Sequence, residues 1–531
     1  MNKNIIINDI NFGKISLGIE LGSTRIKGVL INNKADVLAT GTFKWENKLI
    51  NGIWTYDLDE VWEGIQKTYI NLKENIYKKY NVKIKKIGAI GISAMMHGYL
   101  AFDAKDELLV PFRTWRNAIT EEAGKELTSL FGFNIPQRWS IAHLYQAILN
   151  KEKHIPEVEF FTTLAGYVHW RLTGEKILGI GDASGMFPID EETKDYDQRI
   201  AKQFNDLIQE KGAKFDIIKL LPKSVLAGSD AGVLTEKGAR LLDPSGELEA
   251  GSIFAPPEGD AGTGMIATNS IGANTGNISA GTSVFAMIVL EKKLKQVYPE
   301  IDMVMTPDGL PVAMVHVNNC TSEINAWVQL FADLLQRMGV DYNINKLYET
   351  LFLSALEADE DLEKYLVYGY HSGENITNIS EGRPLFTRLP DAKLNISNFM
   401  RAQIESAFAT LNMGMQILFN EGIKLNSIVG HGGIFQTEGV AQRIISAAVQ
   451  STVTLMDTAD EGGAWGMAIL AEYRRDSTGM SLKEYLENKV FIDVEEKKYT
   501  ATEDEIEKFR NFVKRYEKGL EIEKSAIENF K

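Results

Sequence analysis

The chain has 531 residues, too many for one core of ordinary size, so two or more domains are expected. Its 57 Lys and Arg against 72 Asp and Glu leave a net charge of −15, which excludes a general nucleic-acid binder because phosphate contacts need clustered positive charge. Hydrophobic residues at 44% and charged ones at 24% make an ordinary globular mixture, and the single cysteine excludes an intrachain disulfide or a multi-cysteine metal site.

The opening segment, MNKNIIINDINFGK, has no long apolar run behind its lysines and reads as neither a signal peptide nor an anchor. No later stretch approaches the ~20 apolar residues that cross a bilayer, so a cytoplasmic protein away from the membrane is expected. Residues 15–19 and 26–32 are apolar, β-rich runs joined by Leu21-Gly22-Ser23-Thr24, a turn suited to a hairpin. Amphipathic helical patterns follow near 58–79, 118–131, 141–150 and 160–172, and strand and turn signals cluster over 251–290. Cys320 precedes a helical pattern near 320–338, where a buried apolar thiol fits better than a nucleophile. Further helices are expected near 398–420 and 437–450. From about 492, Ile506, Phe509, Phe512 and Val513 fall at helical spacing among Glu and Lys, as in a solvated terminal helix packed on the second domain. Strands alternating with helices imply α/β layers.

The first hairpin has an echo. Gly276 to Leu290 again places a glycine-hydroxyl turn, Gly281-Thr282-Ser283, between apolar strands, and Gly22 and Gly281 are 259 residues apart. Two unrelated hairpins would give the same turns, but the spacing agrees with the domain count from length. Two tandem domains are expected, over 1–268 and 269–531.

No Gly-x-x-x-x-Gly-Lys-Ser/Thr, no His-Glu-x-x-His and no Gly-x-Gly-x-x-Gly opening a helix occurs, so a P-loop, a zincin and a dinucleotide fold are set aside. What remains is a pair of glycine-hydroxyl turns with carboxylates beside them. Consecutive backbone N–H groups at such turns can wrap phosphate oxygens without a lysine, and two facing turns can grip a polyphosphate from both sides. Asp260, among glycines in Pro256-Pro257-Glu258-Gly259-Asp260, is either a helix cap or the base that takes a proton from an attacking hydroxyl. Glu20, at the end of the first strand, is either a strand-end charge or a holder of Mg²⁺. His97, in Met96-His97-Gly98, and Trp115, in Thr114-Trp115-Arg116-Asn117, can meet sugar hydroxyls and a sugar ring, or serve as ordinary structural residues.

These residues, in this order, resemble the FGGY carbohydrate kinases, and within them the xylulokinase type. The resemblance runs over essentially the whole chain: Gly18 to Thr24, Met96-His97-Gly98, Thr114 to Asn117, Leu172-Thr173-Gly174, Gly181 to Gly185 and Gly259-Asp260. In the second half it takes in Ser279 to Ser283, Tyr370 to Glu374, Val429 to Gly433 and Glu461 to Ala468. It implies two tandem actin-like, ribonuclease-H-like domains, of the sugar kinase, hexokinase and chaperone ATPase superfamily, around a central cleft that binds sugar and ATP. It implies that Asp260 is the base and touches the sugar with Met96, His97 and Trp115. The phosphates then lie on Gly22, Ser23, Thr24, Gly281, Thr282 and Ser283, and the adenosine near Gly432, Gly433, Phe435 and Gln436. The family's magnesium aspartate falls at Glu20, one methylene longer. The polar amide that usually follows a xylulokinase base is here Ala261, as in ribulokinases. The expected reaction is ATP-dependent phosphorylation of a primary hydroxyl of a keto-sugar such as xylulose, with a ribulokinase-type or other polyol substrate as the alternative. A homodimer stays open. An actin-like ATPase working on a protein partner would leave Met96, His97 and Asp260 without a purpose. A sugar-responsive repressor would need a DNA-binding segment before the first strand.

Overall fold

Short-range turn chemistry sets the first sheet. In the computed structural model, which describes residues 3–456 and 462–531 (only the backbone at 360 and 361), β1 (Ser16–Leu21) and β2 (Arg25–Ile31) pair antiparallel about the Gly22 turn. β3 (Val37–Lys44) extends this hairpin, while β4 (Ala89–Ala94) joins β1 on its other side in parallel. β5 (Ile253–Phe254) and β6 (Glu258–Gly259) both add to β4 in parallel.

The second sheet repeats the plan. β7 (Thr275–Ala280) and β8 (Val284–Val289) form a hairpin about Gly281, extended antiparallel through β10 (Pro311–Val317) to β9 (Ile301–Met305). β11 (Ser427–His431) joins β7 in parallel, followed by β12 (Thr452–Met456) and the edge strand β13 (Glu496–Tyr499). In both sheets a hairpin continues into an antiparallel neighbour on one side and parallel strands on the other, which is the doubling that the two turns signalled.

Helices cover the sheets. α1 (Lys3–Asn11) buries Ile6 and Ile10, although the sequence reading began the fold at the first strand. α2 (Leu58–Tyr80) starts on the Asp57 side chain and stops at left-handed Asn81. α3 (Glu121–Phe131) and α4 (Ser140–Leu149) lie where helices were expected. α5 (Leu164–Thr173) begins four residues later than the pattern from 160 implied, because Phe160–Thr162 pairs as a strand with Leu100–Phe102 and Thr163 caps the helix. The four-residue α6 (Ile180–Ala183) follows. The glycine-rich stretch after β6, expected as strand and turn, is instead α7 (Asp260–Ala267), with Asp260 in its first turn.

α8 (Ser322–Arg337), α9 (Ile344–Ser354), α10 (Ile396–Asn420) and α11 (Val440–Val449) serve the second sheet. α12 (Gly462–Asp476) crosses back to pack on β1, β4 and α7. That approach needs glycine: a Cβ on Gly18 would overlap the Ala464 carbonyl oxygen, and one on Gly466 the Thr263 carbonyl oxygen. Glu461, the first residue of the expected helix-entry motif, lies outside the described residues. The terminal helix α13 (Glu503–Asn529) starts on a Thr502–Glu505 capping box and buries Phe509, Phe512 and Val513 against α10 and α11. Cys320 is buried, and burial pushes its thiol up to about 12, an inert state. Among the described residues no helix is long and apolar enough to cross a membrane.

Candidate active site

Strand register builds the acidic end of the site. β1, β4 and β6 run parallel with Glu20, Ser93 and Glu258 in one row, so the chain leaves all three strands at the same edge. The next residues are Asp260, at the start of α7, and Met96 and His97 after β4. Asp260 Oδ1 accepts the backbone N–H groups of Met96, at 3.2 Å, and Ala261, at 3.0 Å. Solvent reaches this carboxyl, yet protein encloses it on the other sides. Burial therefore raises its pKa, against those amides and the positive charge of Arg138.

His97 is buried and left-handed (φ 68°), an uncommon conformation for a non-glycine residue. Its Nδ1 lies 3.0 Å from the Gly185 carbonyl oxygen and its ring stacks on Trp139 at 6.1 Å. The carbonyl partner assigns the proton to Nδ1 and leaves Nε2 an acceptor. Burial, helped by Arg138, lowers the pKa to about 3, so the ring stays neutral. Trp115 is 40% exposed, on a loop fixed by Thr114 and Asn117 bonding to the backbone of Trp54.

Arg138, which the sequence reading passed over, braces these residues. Its carbonyl oxygen accepts the Gly98 N–H, and Ser140 donates to the Gly98 carbonyl, so residues 138–140 hold the Met96–Gly98 segment from behind. Its guanidinium pairs with Asp302 on β9, which also takes the amide of Asn134. Arg138 thus joins the Met96–Gly98 segment to the second sheet, with its charge acting on both His97 and Asp260.

Both glycine-hydroxyl turns are braced from behind. Trp45 Nε1 donates to the Gly22 carbonyl and Tyr56 Oη to the Ser23 carbonyl, each at 2.7 Å, leaving Ser23 and Thr24 exposed. At the second turn, Cys320 N donates to Thr282 and Thr321 N to Gly281, while Asn319 is held by buried Glu374. Ser283 closes the same turn through its carbonyl, which takes the Gly281 N–H. Gly281, Gly433 and Gln436 line one cavity of about 980 Å³ with Asn325 and Tyr348. Gly432 (φ 111°) can have no side chain, since a Cβ would overlap the Ala280 carbonyl oxygen. Phe435 is buried, its ring covering Gly430 beneath the cavity wall.

Glu20 Oε2 accepts the Ala464 N–H at 3.2 Å. Burial and then the charge of Asp260 raise its carboxyl to about 7, against that N–H and Lys27. Among the described residues no three His, Cys, Asp or Glu side chains form a metal cage. One hard carboxylate repelled by another fits a Mg²⁺ that completes its shell with water and phosphate.

Comparison with known proteins bears on both halves. The model described as the N-terminal domain of the FGGY family of carbohydrate kinases matches residues 15–242, and that of its C-terminal domain matches 276–474. The xylulose kinase of Escherichia coli is 23% identical over 474 residues, covering 86% of this chain and 89% of its own. A ligand-bound xylulose kinase from Lactobacillus acidophilus superposes with TM-score 0.77 at 18% identity, covering 97% of this chain and 98% of its own. A gluconate kinase from the same organism superposes with TM-score 0.78 at 18% identity, covering 97% and 99%. These structures share the two-domain fold, in which the doubled sheets are the actin-like, ribonuclease-H-like architecture.

Proposed function

The chain belongs to the FGGY family of carbohydrate kinases and is an ATP-dependent sugar kinase, and we propose that its acceptor is the primary hydroxyl of a keto-sugar, a ketopentose such as xylulose. The observation that carries the reading is the contact of Asp260 with the Met96 amide, which puts a carboxylate beside the expected sugar-binding segment. Two amides engage Oδ1, so Oδ2 is the oxygen that takes the proton of the attacking hydroxyl. Its raised pKa strengthens it as a base. Neutral His97 accepts a sugar hydroxyl at Nε2, Met96 supplies an apolar wall and Trp115 a flat face. Arg138, a donor only, serves carbonyl and hydroxyl oxygens on the side facing the second sheet.

On the nucleotide side, Gly22, Ser23, Thr24, Gly281, Thr282 and Ser283 hold the phosphates. Gly432, Gly433 and Gln436 receive the adenosine, with Phe435 supporting Gly430 below. Glu20 holds Mg²⁺, which when bound neutralises phosphate charge. Phosphoryl transfer rests mostly on positioning, which suits a site of amides, hydroxyls and one base. The same reading divides the lobes at residues 1–268 and 269–531, keeps the enzyme in the cytoplasm and leaves a homodimer open. Curated relatives carry the name xylulose kinase. One observation favours a second reading: Ala261 gives the sugar no side-chain hydrogen bond beside the base, as in ribulokinases, and this favours ribulose. ADP release with D-xylulose, L-xylulose, D-ribulose, L-ribulose, erythrulose and glycerol tests both. D-xylulose is expected to show the highest kcat/KM. A ribulose in first place selects the second reading, and ADP release independent of any sugar overturns both.

A further inference from the structure

Behind Asp260 lies a pair of buried acids that the reaction above does not use. Glu258, two residues before the base, and Asp182, on α6, are 1% and 0% exposed. Glu258 Oε2 accepts the Asp182 N–H at 3.0 Å, and the amides of Gly181 and Gly259 also serve this carboxyl. The chain is cut to fit it, since a Cβ on Gly179 or Gly181 would overlap a Glu258 oxygen. Asp182 Oδ2 accepts the Thr163 hydroxyl at 2.6 Å. The other two oxygens, Glu258 Oε1 and Asp182 Oδ1, are buried without a partner.

Two such neighbouring carboxylates do not both ionise in a protein interior. Burial first, and then the charge of Asp260, raises Asp182 to about 7 against the Thr163 hydroxyl; burial first, and then the charge of Asp182, raises Glu258 to about 8. The groups acting on the pair are few. Asp260 repels Asp182, Tyr196 faces Asp182 with a neutral hydroxyl, and Asp260 itself raises Glu20 and is lowered by Arg138.

The pair ties the base to the acceptor segment. Glu258 and Gly259 are the strand that delivers Asp260, and Gly259 packs so closely on Met96 that a Cβ would overlap its side chain. The Gly181–Gly185 segment gripped by Glu258 ends in the carbonyl that fixes His97, while Ser184 Oγ accepts Met305 N from β9 at 2.9 Å. We propose that Glu258 is a positioning residue of the acceptor site: a proton held by the Glu258–Asp182 pair keeps the Gly181–Gly185 segment, and with it His97, in place beside Asp260. This rests on the acceptor-site reading above. Loss of the proton sets two like charges against each other in the cradle and loosens His97, which weakens acceptor binding and leaves the nucleotide side untouched.

The test measures KM and kcat for sugar and for ATP from pH 6.5 to 9, in wild type, Glu258→Gln and Thr163→Val. At saturating Mg²⁺, which keeps Glu20 ionised throughout, wild type is expected to lose acceptor affinity about tenfold over this range, with the KM for ATP flat. Glu258→Gln keeps the neutral shape, so its acceptor KM should match wild type at pH 6.5 and stay flat to pH 9. Thr163→Val removes the bond that favours ionised Asp182, so its rise in acceptor KM should move to higher pH; this variant decides the matter if Glu258→Gln does not fold. Wild type inactive on every sugar overturns the acceptor reading itself. Active wild type with a flat acceptor KM overturns only the role of the pair, as does a Glu258→Gln profile superimposed on wild type, or parallel losses for sugar and ATP.

Discussion

Glu20 Oε2 accepts the backbone N–H of Ala464 at 3.2 Å, joining the end of the first strand to the first turn of a helix 444 residues later. Gly463 makes the contact accessible, because a Cβ there would overlap Glu20 Oε1. A carboxylate at a helix N-terminus is favourably placed, yet burial and Asp260 hold this one near pH 7, half charged until a cation arrives. Glu20→Asp withdraws the carboxylate by one methylene from the Ala464 amide. The Mg²⁺ concentration for half-maximal velocity is expected to rise about 10- to 100-fold, as when a metal ligand loses its orienting partner. A magnesium titration of velocity checks this, and an unchanged midpoint would mean that the Ala464 amide does not orient the carboxylate that holds the metal.

Asp260→Asn keeps the size of the side chain and the two amide contacts at Oδ1 but cannot take a proton. The kcat for sugar phosphorylation should fall about 10²- to 10⁴-fold, the usual worth of a general base. ATP affinity by calorimetry should stay within about twofold, since the cavity proposed for the adenosine lies against the other sheet. Turnover at the wild-type rate would take the base role away from Asp260.

How legible these features were depended on the range of the forces behind them. The Gly22 and Gly281 turns were readable because turn chemistry is local, and the hairpin register followed from the apolar runs on either side. α7 was not, since Gly-Asp-Ala-Gly-Thr-Gly has poor helix propensity, and it is helical through packing against α12, where Gly466 meets Thr263. Arg138 carries no local motif. Its place in the site comes from Asp302 on a strand of the other sheet. Glu258 stood in view beside Asp260, but its burial depends on the glycines at 179 and 181, far along the chain.

Ala261 offers a specificity test. It follows Asp260, the proposed base, is half-buried, and gives only its backbone N–H to Asp260. Ala261→Asn adds an amide where a sugar hydroxyl can use it. The kcat/KM for D-xylulose should rise about tenfold relative to L-ribulose, within the range that one hydrogen bond at a specificity site supplies. A competition assay with both sugars reads the ratio directly. An unchanged ratio would show that the side chain at 261 does not face the acceptor.

On α4, His143 is fully buried, stacks on Tyr99 at 6.5 Å and has no hydrogen-bond partner at either ring nitrogen. Burial, with a smaller push from Arg113, lowers its pKa to about 3. The unfolded chain protonates this histidine near pH 6.5, so between pH 6.5 and 3 the unfolded state binds more protons and stability falls with falling pH. His97, His169 and His316, also lowered to about 3, act in the same direction. Glu20, Asp182 and Glu258, raised to about 7, 7 and 8, act oppositely as pH rises from about 4.5, because there the folded state holds the extra protons. A comparison of wild type with His143→Phe cancels every term but one. Urea denaturation should find the variant at least as stable at pH 7, where a buried polar ring is exchanged for an apolar one. Its advantage should then widen by about 1 kcal/mol for each pH unit from 6.5 down to 4.5. A constant gap over that interval would mean that His143 gains its proton inside the folded protein as readily as outside it.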